Sequence, residues 1–142
     1  MTTTKEQAKI RLDQYAGLRL ELHNRIRQLS RLQQADRRRP LLSGSRAAEY
    51  AQQIAATVQN NRRELAEVEA AVAALPDPLE RKVVQLRYME PYKEPQAKAE
   101  GVRHTPWAKI SFAMYGAADA AALHRTMRLH DRAIIHLSAS WQ

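Results

Sequence analysis

The chain has 142 residues, with 23 Lys and Arg against 15 Asp and Glu, a net charge of +8 and a pI of about 10.2. That length holds one domain with a modest core, or a small domain plus an extended helical piece, and the charge favours a polyanionic partner. There is no cysteine, which excludes disulfides and thiolate metal sites and fits a reducing compartment.

The polar start Met1-Thr2-Thr3-Thr4-Lys5-Glu6 has no apolar stretch behind it, so no secretory signal is expected. No apolar run approaches the roughly 18 residues of a membrane span. The expectation is therefore a cytoplasmic protein with no membrane contact. Glycines number four, and β-branched and aromatic residues are sparse against Ala, Leu, Arg, Gln and Glu. This is all-α composition.

Taken in order, residues 4–35 contain no proline and one glycine. Leu12, Tyr15, Leu18, Leu22, Ile26, Leu29 and Leu32 recur at threes and fours, which predicts one long amphipathic helix. Residues 36–45 bring a charge run, Pro40 and Gly44, and read as a loop, with Ser45 placed to cap the next helix. That second helix is predicted over 46–75, with Tyr50, Ile54, Val58, Asn61, Leu65, Val68, Val72 and Leu75 in a heptad-like rhythm. Two helices of matched length joined by a short loop read as an antiparallel, coiled-coil-like hairpin. Its narrow stripes leave apolar surface for a second copy. The self-association residues are thus expected to be Leu18, Leu22, Ile26, Leu29, Ile54, Val58, Asn61, Leu65, Val68 and Val72. Asn61 has two readings: a seam asparagine that fixes register, or an edge position facing water.

Pro76 ends this hairpin, so residues 1–75 form one unit and 76–142 a second. Asp77, Pro78 and Glu80 supply a cap, a first-turn proline and a capping-box-like partner for a short helix with Leu79, Val83, Leu86, Tyr88 and Met89 inward. Residues 90–104 read as a loop with one helical turn near 96–99. Thr105-Pro106 is a second start signal, with Trp107, Ile110 and Met114 as the inward face, and Gly116 is placed for a left-handed end. The last helix is predicted to begin between residues 117 and 119 and run to about Ser138. Leu123, Met127, His130, Ile134, Leu137 and Trp141 form its expected apolar stripe.

The chain has no phosphate loop, nucleophile elbow or metal-ligand motif, so neither an enzyme nor a cofactor or metal site is expected. His124, His130 and His136 are six apart and fall on different faces, and His130 reads as a core histidine. Arg125, Arg128 and Arg132 form a cationic row on another face of the same helix. A basic helix behind two short helices is how a helix-turn-helix presents its recognition helix to DNA. Arginine suits that task because its planar fork donates two parallel hydrogen bonds to guanine or phosphate. The DNA-binding residues are therefore expected to be His124, Arg125, Arg128 and Arg132, with Lys109, Arg103, His104 and Thr105 around the start of the preceding helix. The alternative for the arginine row is a solvated face paired with acids such as Asp131.

The segment Leu75-Pro76-Asp77-Pro78-Leu79-Glu80 through Leu86-Arg87-Tyr88-Met89, with Trp107-Ala108-Lys109-Ile110 and Leu129-His130-Asp131-Arg132-Ala133-Ile134, resembles the sigma-factor region 4-like domains of phage transcription regulators of the RinA/ArpU kind. The resemblance implies a phage protein in a bacterial host that binds double-stranded DNA near late or packaging genes and activates transcription. A homodimer and host RNA polymerase are the expected partners. Two other readings stand beside it. One is a small terminase-like packaging subunit, and the other is a helical adaptor that binds polymerase without touching DNA.

Overall fold

A computed structural model describes residues 3–40, 42, 44–90 and 104–141. Every element among them is helical: α1 (Thr4–Arg38), α2 (Arg46–Ala73), α3 (Pro78–Val84) continued by a π-helical turn (Gln85–Met89), α4 (Trp107–Tyr115) and α5 (Ala120–Ser140). The all-α expectation holds. The turn expected near 96–99, and Arg103, lie outside the described residues.

α1 begins with a full capping box, in which Thr3 accepts from the Glu6 amide and the Glu6 carboxylate accepts from the Thr3 amide. The helix runs three residues past the expected end at Ala35. A charge run does not stop a helix, and Arg37 and Arg38 in the last turn suit the negative end of its dipole. Ser45 caps α2 as expected, accepting from the Ala48 amide. α1 and α2 run in opposite directions: Arg11 meets Glu67 at 2.7 Å near one end, and Leu29 and Leu32 lie with Ala48 and Ala51 near the other. Between these, the Tyr15 hydroxyl donates to Glu69 at 2.8 Å and accepts from Arg19 at 3.0 Å. Burial and the bond to Glu69 hold the Tyr15 pKa above its ordinary value.

The core crosses the expected boundary at Leu75. One cluster joins Ala8, Leu12 and Tyr15 of α1, Leu65, Val68 and Val72 of α2, Leu75, Val84 and Tyr88, and Ala133, Ile134 and Leu137 of α5. Trp141 packs on its edge, under the Arg11 guanidinium at 4.6 Å. The N-terminal half of α1 and the C-terminal half of α2 are therefore covered by α5. Among the described residues nothing covers the other halves of the pair in this way.

This arrangement decides where the expected self-association residues go. Ile54, Val58, Asn61, Leu65, Val68 and Val72 are all buried within the single chain. Leu18, Leu22 and Leu29 are half-buried, Ile26 is 38% exposed, and Leu22 and Ile26 line an open groove of about 320 Å³ with Leu65 and Ala66. Of the residues expected to self-associate, those that keep surface for a second copy are on this α1 row. Asn61 occupies the seam with its Nδ2 unpaired and does not face water. Tyr50, expected in the stripe, is 48% exposed, since it lies in the uncovered first turns of α2.

Three further expectations are corrected. Asp77 caps α3 through the Leu79 amide, but Glu80 does not complete a box. Its carboxylate is buried instead against His136 of α5, whose Nδ1 stands 2.9 and 3.1 Å from the two oxygens. Leu79 is correspondingly turned out, at 48% exposure. On α4, Pro106 itself is the N-cap residue and Thr105 caps nothing with its side chain, because the helix starts one residue later than a proline at its first position would require. On α5 the buried stripe is Ala122, Thr126, Leu129, His130, Ala133, Ile134 and Leu137, while Met127 is 45% exposed. Thr126 can lie inside because its hydroxyl donates to the Ala122 carbonyl one turn back.

Candidate nucleic-acid interface

α4 and α5 are joined by four residues. Gly116 closes α4 in the left-handed conformation (φ 68°), as its position predicts, and its amide donates to the Phe112 carbonyl. The buried Ser111 hydroxyl donates to the Ala117 carbonyl at 2.8 Å and fixes the turn from inside. Asp119 then caps α5, accepting from the Ala122 amide. Four residues with one glycine make a tight connection between two helices.

The outward face of α5 carries the arginine row. At about 100° per residue, Arg125, Arg128 and Arg132 fall within about 60° of one another and well round the helix from the buried stripe. All three are exposed, as is His124. Arg132 reaches Asp77 at 3.8 Å, whereas among the described residues no acid pairs with Arg125 or Arg128. Asp131 faces the ring of His130 at 3.3 Å, not the row. About two turns of α5 thus present cations on one side and a core on the other. No lysine is among them.

The residues expected around the start of α4 divide. Lys109 is exposed. His104 turns inward, its Nε2 2.7 Å from Asp13 of α1 and its ring edge-on to Tyr88. The Thr105 carbonyl accepts from Arg87 at 2.9 Å. These two residues tie α4 to α1 and to the π-helical turn.

Behind the row lies a polar-aromatic joint, of which the sequence pattern indicates an inward Tyr88, Trp107 and His130 but not their contacts with one another. His130 stacks on Tyr88 and meets the edge of Trp107 at 4.9 Å. The Arg87 guanidinium lies over Trp107 at 4.1 Å, so Trp107 is half-buried between Arg87 and His130 and is packed, not free to stack on a base. The Tyr88 hydroxyl donates to His130 Nε2, which places the ring proton on Nδ1 toward Asp131. Burial pushes the His130 pKa below its ordinary value and, with the charge of Asp13, pushes Tyr88 up to about 12. Both shifts keep this pair neutral. The signal missed was the π-helical turn, whose wider spacing aims Tyr88 at α5 and which apolar periodicity does not encode.

No helix among the described residues is long and apolar enough to cross a membrane, and they hold no group of three or more His, Asp or Glu placed to bind a metal. Comparisons with family models, with curated proteins and with solved structures give no match.

Proposed function

We propose that the chain is a sequence-specific DNA-binding transcription regulator, with α5 as the recognition helix of a helix-turn-helix formed by α3, α4 and α5. The α1–α2 pair is read as the long hairpin that precedes it. The single observation that carries this reading is the exposed row Arg125, Arg128 and Arg132, presented on α5 directly after a four-residue turn. Solvated arginine faces are common, but among the described residues this one has two members without acidic partners, and its helix is tied from behind through the bond between His130 and Tyr88.

Within this reading Ala120 and Ala121 are too short to reach base edges, so base contacts fall to His124, Arg125 and Arg128, and Arg132 and Lys109 serve phosphate. On the resemblance to regulators of the RinA/ArpU kind, we read the target as lying near phage late or packaging genes, in a bacterial cytoplasm, with a homodimer and host RNA polymerase as partners. The packaging-subunit reading predicts a ring in solution, and the adaptor reading predicts partner binding that ignores salt.

Alanine variants of Arg125, Arg128 and Arg132 titrated against operator and scrambled duplexes at two salt concentrations test it. Losing a bidentate base contact costs about 1–3 kcal/mol and narrows discrimination. Arg132→Ala should weaken both duplexes alike and lower the salt dependence. Unchanged affinities for all three variants would remove α5 as the DNA-reading element.

A further inference from the structure

The far end of the α1–α2 pair is the second place where arginine gathers. Residues 27–49 contain Arg27, Arg31, Arg37, Arg38, Arg39 and Arg46 against two acids, Asp36 and Glu49, which is half of the chain's net charge of +8. All six arginines are exposed, and among the described residues none is tied into an ion pair. Favourable contact with the end of the α1 dipole accounts for one or two of them. It does not account for three in succession, the last of which, Arg39, has already left the helix in extended backbone, nor for Arg46 in the first turn of α2, where a cation meets the positive end of the dipole. A concentration of charge that helix stability does not need, and in one position opposes, calls for a partner.

We propose that this tip binds the phosphate backbone of nucleic acid, as a contact surface separate from the arginine row of α5. Three observations select a phosphate backbone. Every cation at the tip is arginine and none is lysine, and the guanidinium fork matches phosphate oxygens in pairs. A membrane-surface segment would carry a continuous apolar face beside its basic one. At the tip, by contrast, Leu42 is the one large apolar side chain among the described residues that stands mostly exposed. The reach also fits an extended polymer. Arg37 lies roughly 33 Å further along α1 than Tyr15, at about 1.5 Å per residue, and Tyr15 is packed in the core that α5 covers.

The test uses the full chain and a long random-sequence duplex, with binding followed by fluorescence anisotropy over a salt series. Arg37→Gln, Arg38→Gln and Arg39→Gln together should lower affinity at low salt by about tenfold. They should also reduce the slope of log affinity against log salt by about 2–3, since each neutralised phosphate contributes about 0.9. The same three positions changed to Lys should keep most of the slope, because counterion release follows charge. A second variant, Arg27, Arg31 and Arg46 to Gln, should lower the slope too. Circular dichroism should be unchanged throughout, since these side chains bury nothing. An unchanged slope in both Gln variants overturns the proposal, as does wild-type protein that ignores the duplex. So does a loss seen only on vesicles rich in phosphatidylserine, which would make the tip a membrane contact. The row variant Arg125, Arg128 and Arg132 to Ala, run in parallel, separates this surface from α5. If the row variant is unaffected and the tip variant impaired, the α5 reading falls and this one stands; the reverse pattern overturns the tip.

Discussion

Leu12 and Ile26 stand two heptads apart on one stripe of one helix, and the structure treats them differently. Leu12 is completely buried under α2 and α5, while Ile26 is 38% exposed beside an open groove. The difference is not in the local sequence, because both residues keep the same three-and-four spacing. It is the third layer. Where α5 crosses the pair, the stripe becomes a core; beyond it, the same pattern yields two helices touching along one line. An amphipathic stripe therefore reports that a helix has a side to cover, and leaves open what covers it.

The largest effect should separate these two ends. Leu12→Ala is expected to cost about 3–4 kcal/mol, because the cavity would be enclosed by three helices and unable to collapse. Ile26→Ala should cost under about 1 kcal/mol, since water already reaches the site. Paired chemical-denaturation curves read both. Equal losses would mean that the uncovered end is packed as tightly as the covered one, most simply against a second copy. A concentration dependence of the Ile26 variant would then appear.

The covered end also contains ionisable groups, and these were the least legible part of the sequence. Long helices, caps at Ser45 and Asp77, and the left-handed Gly116 all follow from local chemistry and were visible in it. The inward Glu80 was not, because a rule that sends apolar residues inside places Leu79 there. Only the tertiary meeting with His136 makes the carboxylate acceptable. Likewise the first turns of the α5 stripe lie one residue from their expected position, since Met127 looks like core and Thr126 does not, while His130, Ile134 and Leu137 are buried as expected. Of the candidate interface, the exposed arginine row was legible from spacing alone. The inward turn of His104 was not, because Asp13 lies at the other end of the chain.

Removing His136 should therefore break the covered end by a different route. His136→Ala strands a carboxylate that is 1% exposed, and a loss of about 2–3 kcal/mol is expected. That is below the usual figure for a broken buried pair, because the histidine side is half open and water can enter. Glu80→Gln in the same background should recover part of it, by removing the charge that lost its partner. If the double variant is no better than His136→Ala, the two side chains act independently and the pair contributes only packing.

The joint between Tyr88 and His130 predicts a pH signature confined to this end. The His130 pKa is lower folded than unfolded, so below its ordinary value of about 6.5 the unfolded chain binds more protons. Stability should hold above about pH 6.5 and fall as the solution is acidified. The Tyr88 pKa is raised to about 12, so its contribution is present below about pH 10 and is lost as pH rises toward 12. Tyr88→Phe should cost about 1–2 kcal/mol at neutral pH by leaving His130 Nε2 without its donor. It should also flatten the alkaline loss. Thermal melts across the pH range check both arms, and an alkaline limb unchanged in the variant would assign it to another group.

The smallest expected effect lies at the border between the two ends. Asn61 is buried in the α2 stripe between Val58 and Leu65, with its Nδ2 unpaired. An unsatisfied buried amide is unfavourable by about 1–3 kcal/mol, and a leucine of similar size would remove that cost and add apolar area. Asn61→Leu should therefore raise stability, by about 1 kcal/mol after allowing for imperfect fit. What the asparagine supplies in return is register. In a seam of otherwise interchangeable apolar side chains, a polar group disfavours any pairing that would bury it more deeply or against a different neighbour. The leucine variant should then be more stable and less unique, with broadened amide resonances along the uncovered halves of α1 and α2 and unchanged ones around Leu12 and Val72. A variant that is stabilised and keeps sharp resonances throughout would show that α5, by clamping one end, already fixes the register of the whole pair.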